Sequence, residues 1–89
     1  DKDIKEERIV LRADRYHQHY LRTLPLHPSQ REIYTSDEYA DFELHLRPTY
    51  DFCMELLKVG AMIEVLEPQS LRHQLHSCIK DMWKIYEND

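Results

Sequence analysis

The chain has 89 residues and a formal charge of −5, from 17 acids against 12 Lys and Arg. That length holds one domain with a core of modest size. The acidic balance, with bases scattered among acids, makes duplex DNA a poor partner for the isolated chain, since phosphate recognition needs a basic patch.

Residues 1–7 are charged and read as a linker remnant, leaving 8–89 as the domain. The chain starts at Asp1 without Met, has no apolar leader and no run of roughly 18 apolar residues, so no signal peptide or membrane span is expected. Ile9, Leu11 and Ala13 alternate with Val10 and Arg12, which predicts a first strand. Asp14 can cap a helix. Tyr16, Tyr20, Leu21 and Leu24 follow at helical spacing, and Pro25 and Pro28 stop the helix because each lacks an N–H. Gln30 to Thr35 reads as a short strand and Ser36, Asp37 and Glu38 as a turn. Tyr39 to Arg47 alternates most clearly: Ala40, Phe42, Leu44 and Leu46 face one way, Tyr39, Asp41, Glu43, His45 and Arg47 the other.

Thr49 caps a second helix running to about Val59, with Phe52, Cys53, Leu56, Leu57 and Val59 as its buried stripe. Gly60, the single glycine, stands where a helix end needs a left-handed residue. Met62 to Leu66 reads as a fourth strand. Pro68 opens a last helix to about Tyr86. The order β-α-β-β-α-β-α gives a ferredoxin-like α+β fold. Its antiparallel sheet has the order 4-1-3-2, with helices on one face and a long additional C-terminal helix. Phe42, Leu44, Leu46, Ile9, Leu11, Phe52, Leu56 and Val65 are expected to form one core.

Chemistry is sparse. His17 and His19 diverge on a helix, while His73 and His76 can share a face but have no third ligand at helical spacing. No metal or cofactor is expected. Cys53 and Cys78 sit among apolar neighbours and read as reduced core thiols of a cytoplasmic protein. No nucleophile elbow, P-loop, dinucleotide glycine pattern or zinc-protease motif occurs. Ser29 beside His27, with Pro28 between, reads as a turn that caps a strand or contacts a neighbouring domain. The sheet's open face carries Arg8, Val10 and Arg12 beside Asp41, Glu43, His45 and Arg47. Arg–carboxylate pairing across strands neutralises it, and Tyr39 alone offers a stacking ring.

The last helix has two apolar stripes. Leu71, Leu75, Cys78, Met82 and Ile85 form one, and Ile79, Trp83 and Tyr86 form an adjacent one. Together they are too wide for a single sheet edge. Two readings stay open here: a helix folded across its own core, or a helix whose Trp83 and Tyr86 cover a partner surface.

Two segments carry a resemblance. Leu24 to Gln30, with its His-Pro-Ser-Gln turn, and Ile63 to Arg72, with Glu-Pro leading into a helix that begins Leu-Arg, resemble the C-terminal extension (WCX) of bacterial WYL-domain transcriptional regulators. The likeness spans about Arg8 to Tyr86. Matching positions are Leu26 to Gln30, Arg47 and Pro48, and Glu67, Pro68, Leu71 and Arg72. The family has an aromatic where Leu26 stands. The resemblance implies a non-enzymatic module cut from a larger protein. In that protein a winged helix-turn-helix domain binds DNA, and a central domain senses effectors, nucleic acid or nucleotide-like ligands among them. The extension then contributes dimer contacts and signal transmission. The expected partners are the rest of its own polypeptide and a second copy, with DNA engaged only through the other domain. The alternative is an independent small-ligand- or nucleotide-sensing ferredoxin-like domain. Candidate interface or effector contacts are His27, Ser29, Gln30, Arg47, Arg72, Trp83 and Tyr86.

Overall fold

The computed structural model describes residues 3–87. Asp1 and Lys2 of the expected linker lie outside the described residues, and the first strand begins within the expected linker, at Glu7. The elements are β1 (Glu7–Asp14), α1 (His17–Thr23), β2 (Arg31–Thr35), β3 (Tyr39–Leu46), α2 (Tyr50–Val59), a 3-10 turn (Gly60–Met62), β4 (Ile63–Glu67) and α3 (Gln69–Tyr86). The sheet order is β2-β3-β1-β4, and every pairing is antiparallel. This is the expected ferredoxin-like α+β arrangement with its additional long helix.

The central pair is regular over its whole length, with Ile9 opposite Leu44 and Leu11 opposite Phe42. Both outer pairings slip. β1 and β4 shift register between Val10 and Leu11, and β2 and β3 shift between Glu32 and Tyr34. Ile9, Leu11 and Ala13 of β1 and Ala40, Phe42, Leu44 and Leu46 of β3 bury on one face, joined by Val65 of β4. Leu21 of α1, Phe52, Cys53 and Leu56 of α2, and Leu71 of α3 cover them. All eight residues expected in the core are there.

Local signals explain the joints. The Asp14 carboxylate accepts from the backbone N–H of Tyr16 (3.0 Å) and His17 (2.8 Å), so it serves the start of α1 from just outside the helix. Thr49 Oγ1 accepts from Phe52 N–H at 3.3 Å and caps α2. Gly60 takes φ 77°, a left-handed value that suits a residue without Cβ, and ends α2. The Ser36 hydroxyl and amide both bond Tyr39 and close the β2–β3 hairpin. The Glu67–Pro68 peptide is cis.

Two expectations about faces need correction. On α1 the buried side chains are His17, Gln18 and Leu21, while Tyr16, Tyr20 and Leu24 are exposed. Polar contacts set the rotation of this two-turn helix. Gln18 Nε2 donates to Ser36 O, and Arg22 clamps Glu32 of β2 through two bonds of 2.8 and 2.7 Å. On α3 only Leu71 is buried and Leu75 is half-buried; Cys78, Met82 and Ile85 are exposed. The helix packs on β4 through its first turns and then runs past the sheet. Cys78 is therefore not a core thiol, whereas Cys53 is buried, and burial pushes its thiol pKa up.

Candidate functional site

The His-Pro-Ser-Gln turn is held from within. Ser29 Oγ accepts from His45 N–H at 2.8 Å and lies 3.1 Å from His45 O, so one hydroxyl engages both backbone groups of a β3 residue. It also lies 2.7 Å from His27 Nδ1, which accepts the Ser29 N–H at 3.1 Å. An accepting Nδ1 places the ring proton on Nε2. Gln30 completes the turn: its Oε1 accepts from Leu26 N–H and its Nε2 donates to Leu21 O, both at 2.9 Å. Ser29 and Gln30 thus tie the end of α1 to the edge of β3. A serine whose oxygen is committed to a strand backbone is not poised as a nucleophile. His27 and Arg47 border one shallow depression together with Glu6, Asp51 and Glu55.

The open sheet face is a ladder of ion pairs. Arg8 Nε meets Glu43 at 2.6 Å and its Nη1 meets Glu67 at 3.2 Å; Arg31 reaches the other Glu43 oxygen at 3.1 Å. Arg12 grips Asp41 through two bonds of 2.8 and 3.1 Å. The bond to Asp41 pushes the Arg12 guanidinium further toward its charged form, and the bond to Arg8 holds the Glu43 carboxyl below its ordinary value. Arg12 also lies 3.9 Å above the Tyr39 ring, which meets Tyr34 at 5.4 Å. Tyr34 is a correction, since Tyr39 does not stand alone. The slip between Glu32 and Tyr34 resets the phase of β2 and brings the two rings together. Val10 is buried beneath this ladder.

The second candidate surface is a groove of about 670 Å³ beside α3. Leu56 and Leu57 of α2, the 3-10 turn, and Ile63 and Val65 of β4 form one side. Leu75, Ile79, Met82, Trp83 and Tyr86 of α3 form the other, with Arg72, His73 and His76 toward the start of the helix. Arg72 is anchored there, since its Nη1 donates to Glu64 at 2.6 Å and to Val65 O at 2.9 Å. Trp83 is 61% exposed and Tyr86 71%, so neither ring is a core member. Ile79, Met82 and Ile85 are exposed beside them.

The seven residues expected at the interface thus fall into two clusters. His27, Ser29, Gln30 and Arg47 gather around the turn and its depression. Arg72, Trp83 and Tyr86 line the groove. Sequence reasoning missed Ile79 and Met82 as neighbours along one wall of the groove, because it assigned them to different stripes. Their spacing from Leu75 and Tyr86 could have shown it. It also missed the burial of His17, whose Nε2 has no hydrogen-bond partner and whose ring stacks on Tyr20 at 5.2 Å. Among the described residues no three His, Cys, Asp or Glu side chains are grouped to hold a metal ion. No helix among them is long and apolar enough to cross a membrane.

The family model described as WCX domain matches residues 5–83. No curated protein matches the chain.

Proposed function

The chain belongs to the WCX domain family, a module associated with WYL regulators, and from that premise we propose that it is a regulatory and oligomerisation unit of a bacterial WYL-family transcriptional regulator. Its role is to contribute dimer contacts and to pass an effector signal between the sensing and DNA-binding parts of the same cytoplasmic polypeptide. It is a docking unit, not a catalyst. The observation that carries this reading is the C-terminal half of α3, whose Ile79, Met82, Trp83, Ile85 and Tyr86 stand exposed along an open groove. Apolar surface of that extent on a small acidic domain marks an interaction site.

Sedimentation equilibrium of the chain tests it, with the variant Trp83→Ala/Tyr86→Ala beside the parent. The parent should self-associate. Each ring, if it anchors the contact, is worth at least about 2 kcal/mol, roughly thirtyfold in Kd. The variant should then be monomeric where the parent is dimeric, with an unchanged circular dichroism spectrum, because both rings lie outside the core. An unfolded variant would move these residues into the core and end the interface reading.

A second reading has its own support. Arg72, His73 and His76 gather at one end of an otherwise apolar groove, which suits an amphipathic anion or a nucleotide-like effector. A ligand-dependent rise in melting temperature favours that reading.

A further inference from the structure

The chain has two cysteines, and both are free thiols. Cys53 lies on α2 inside the core, while Cys78 lies on α3 and is exposed. The fold brings the two toward each other. Leu71, Leu75 and Cys78 follow at spacings of four and three residues, so they share one face of α3. Leu71 belongs to the core cluster that holds Cys53, and Leu75 packs against that cluster. Cys78 therefore stands one turn beyond this contact, at the rim of the core. Electrostatics agrees with the placement. Burial pushes the Cys53 thiol pKa up, and charge on Cys78 pushes it further. Such an influence fades with distance and is screened beyond ~10 Å. The two sulfurs are thus neighbours between α2 and α3.

We infer that Cys53 and Cys78 form a redox pair, which hydrogen peroxide converts into a disulfide that ties α3 to α2 and resets the groove between them. Exposure fixes the order of events. The Cys78 thiolate attacks a peroxide oxygen and the O–O bond breaks. Cys78 becomes a sulfenic acid, and the hydroxide released takes a proton to leave as water. Cys53, shielded from the oxidant, then gives up its proton and attacks the Cys78 sulfur. The S–S bond forms, the S–OH bond breaks, and a second hydroxide leaves as water after taking that proton. Two thiols lose two electrons in all, one peroxide gains them, and two waters form.

The helix permits the closure. A disulfide needs a Cα separation of no more than ~7 Å. Ile79, Met82, Trp83 and Ile85 around Cys78 are exposed, so this half of α3 can tilt toward α2 without breaking core contacts. Leu56 and Leu57 of α2 face the same groove as Ile79 and Trp83 of α3, and the bond fixes the distance between them. In a reducing compartment thiol exchange reopens such a bond, so it signals oxidant and is not a permanent brace. The inference holds whatever fills the groove, and it goes beyond the oligomerisation reading.

Oxidation of the folded chain by hydrogen peroxide tests it. Both free thiols should disappear. Peptide mass should show position 53 joined to position 78 within one chain, with an unchanged circular dichroism spectrum. Trp83 is the single tryptophan and lines the groove, so its emission should shift on oxidation and return with dithiothreitol. Cys78→Ser, at an exposed position, should keep the fold and lose both the link and the shift. A parent whose Cys78 is oxidised further while Cys53 stays a free thiol overturns the pair. So does a link that forms only between Cys78 residues of two copies, or only in urea. A link within the chain that leaves Trp83 emission unchanged overturns the effect on the groove. Sedimentation of the reduced chain reports on the oligomerisation reading separately, so the two fail independently.

Discussion

Ser29→Ala tests whether the His-Pro-Ser-Gln turn is a structural staple. The substitution deletes a hydroxyl that accepts from the N–H of His45 and shares its one proton between the His45 C=O and the ring of His27. A net hydrogen bond contributes about 1 kcal/mol, and a buried group left without a partner costs more. Water offsets part of the loss, because Ser29 is half-buried and His45 exposed. Two bonds lost with partial rehydration amount to about 1–2 kcal/mol. For a domain of this size each kcal/mol lowers Tm by about 4–8 °C. Urea denaturation at fixed protein concentration should show the shift with an unchanged m-value, since the surface exposed on unfolding stays the same. Amide hydrogen exchange gives the local readout: the His45 N–H should exchange faster, and amides of the central β1–β3 pair should follow only the global change. A stability change under about 0.3 kcal/mol, with His45 protection unaltered, would refute the staple.

Leu44→Ala should cost about 2–5 kcal/mol in urea denaturation, because Leu44 is fully buried opposite Ile9 and its lost side chain leaves a cavity under the helices; a loss below about 1 kcal/mol would contradict the packing. Acid should loosen the contact between α1 and the edge strand. The hydrogen bonds from Arg22 lower the Glu32 carboxyl from 4.5 to about 2. A carboxyl pKa depressed by folding stabilises at pH above the unfolded value and loses that contribution as pH falls toward the folded one. Stability should therefore hold above about pH 4.5 and fall between there and about pH 2, and Arg22→Ala should flatten that part of an acid titration followed by circular dichroism.

Much of the architecture was legible because period-2 alternation is unambiguous where one face is buried. β3 and β1 show it, and their register follows from it. The joints were legible for a different reason: Thr49, Gly60 and Pro68 are residue types with local backbone consequences. What escaped reading depends on partners distant in sequence. The rotation of α1 comes from Gln18 reaching Ser36 and Arg22 reaching Glu32, and neither is visible as hydrophobic periodicity. The destination of the apolar stripes on α3 was equally hidden, since periodicity tells which residues share a face and not whether the sheet extends far enough to meet them. The candidate residues at the turn and groove were chosen by residue type. Their division into two clusters needed the fold, and the Tyr34–Tyr39 contact needed a one-residue slip that no pattern in β2 announces.

The two register slips carry a consequence for how such molecules meet one another. An open four-stranded sheet has two free edges, and each is a template for a strand from another molecule. Here both edge strands are only five residues long and irregularly paired, and β2 carries Arg31 and Glu32, both engaged in ion pairs. Such edges twist away from flat addition and resist runaway strand stacking. Crowded copies are thereby discouraged from joining through their backbones, where any sequence could substitute for any other. Contact of any other kind has to be made by side chains, whose identities can tell a proper mate from a stranger.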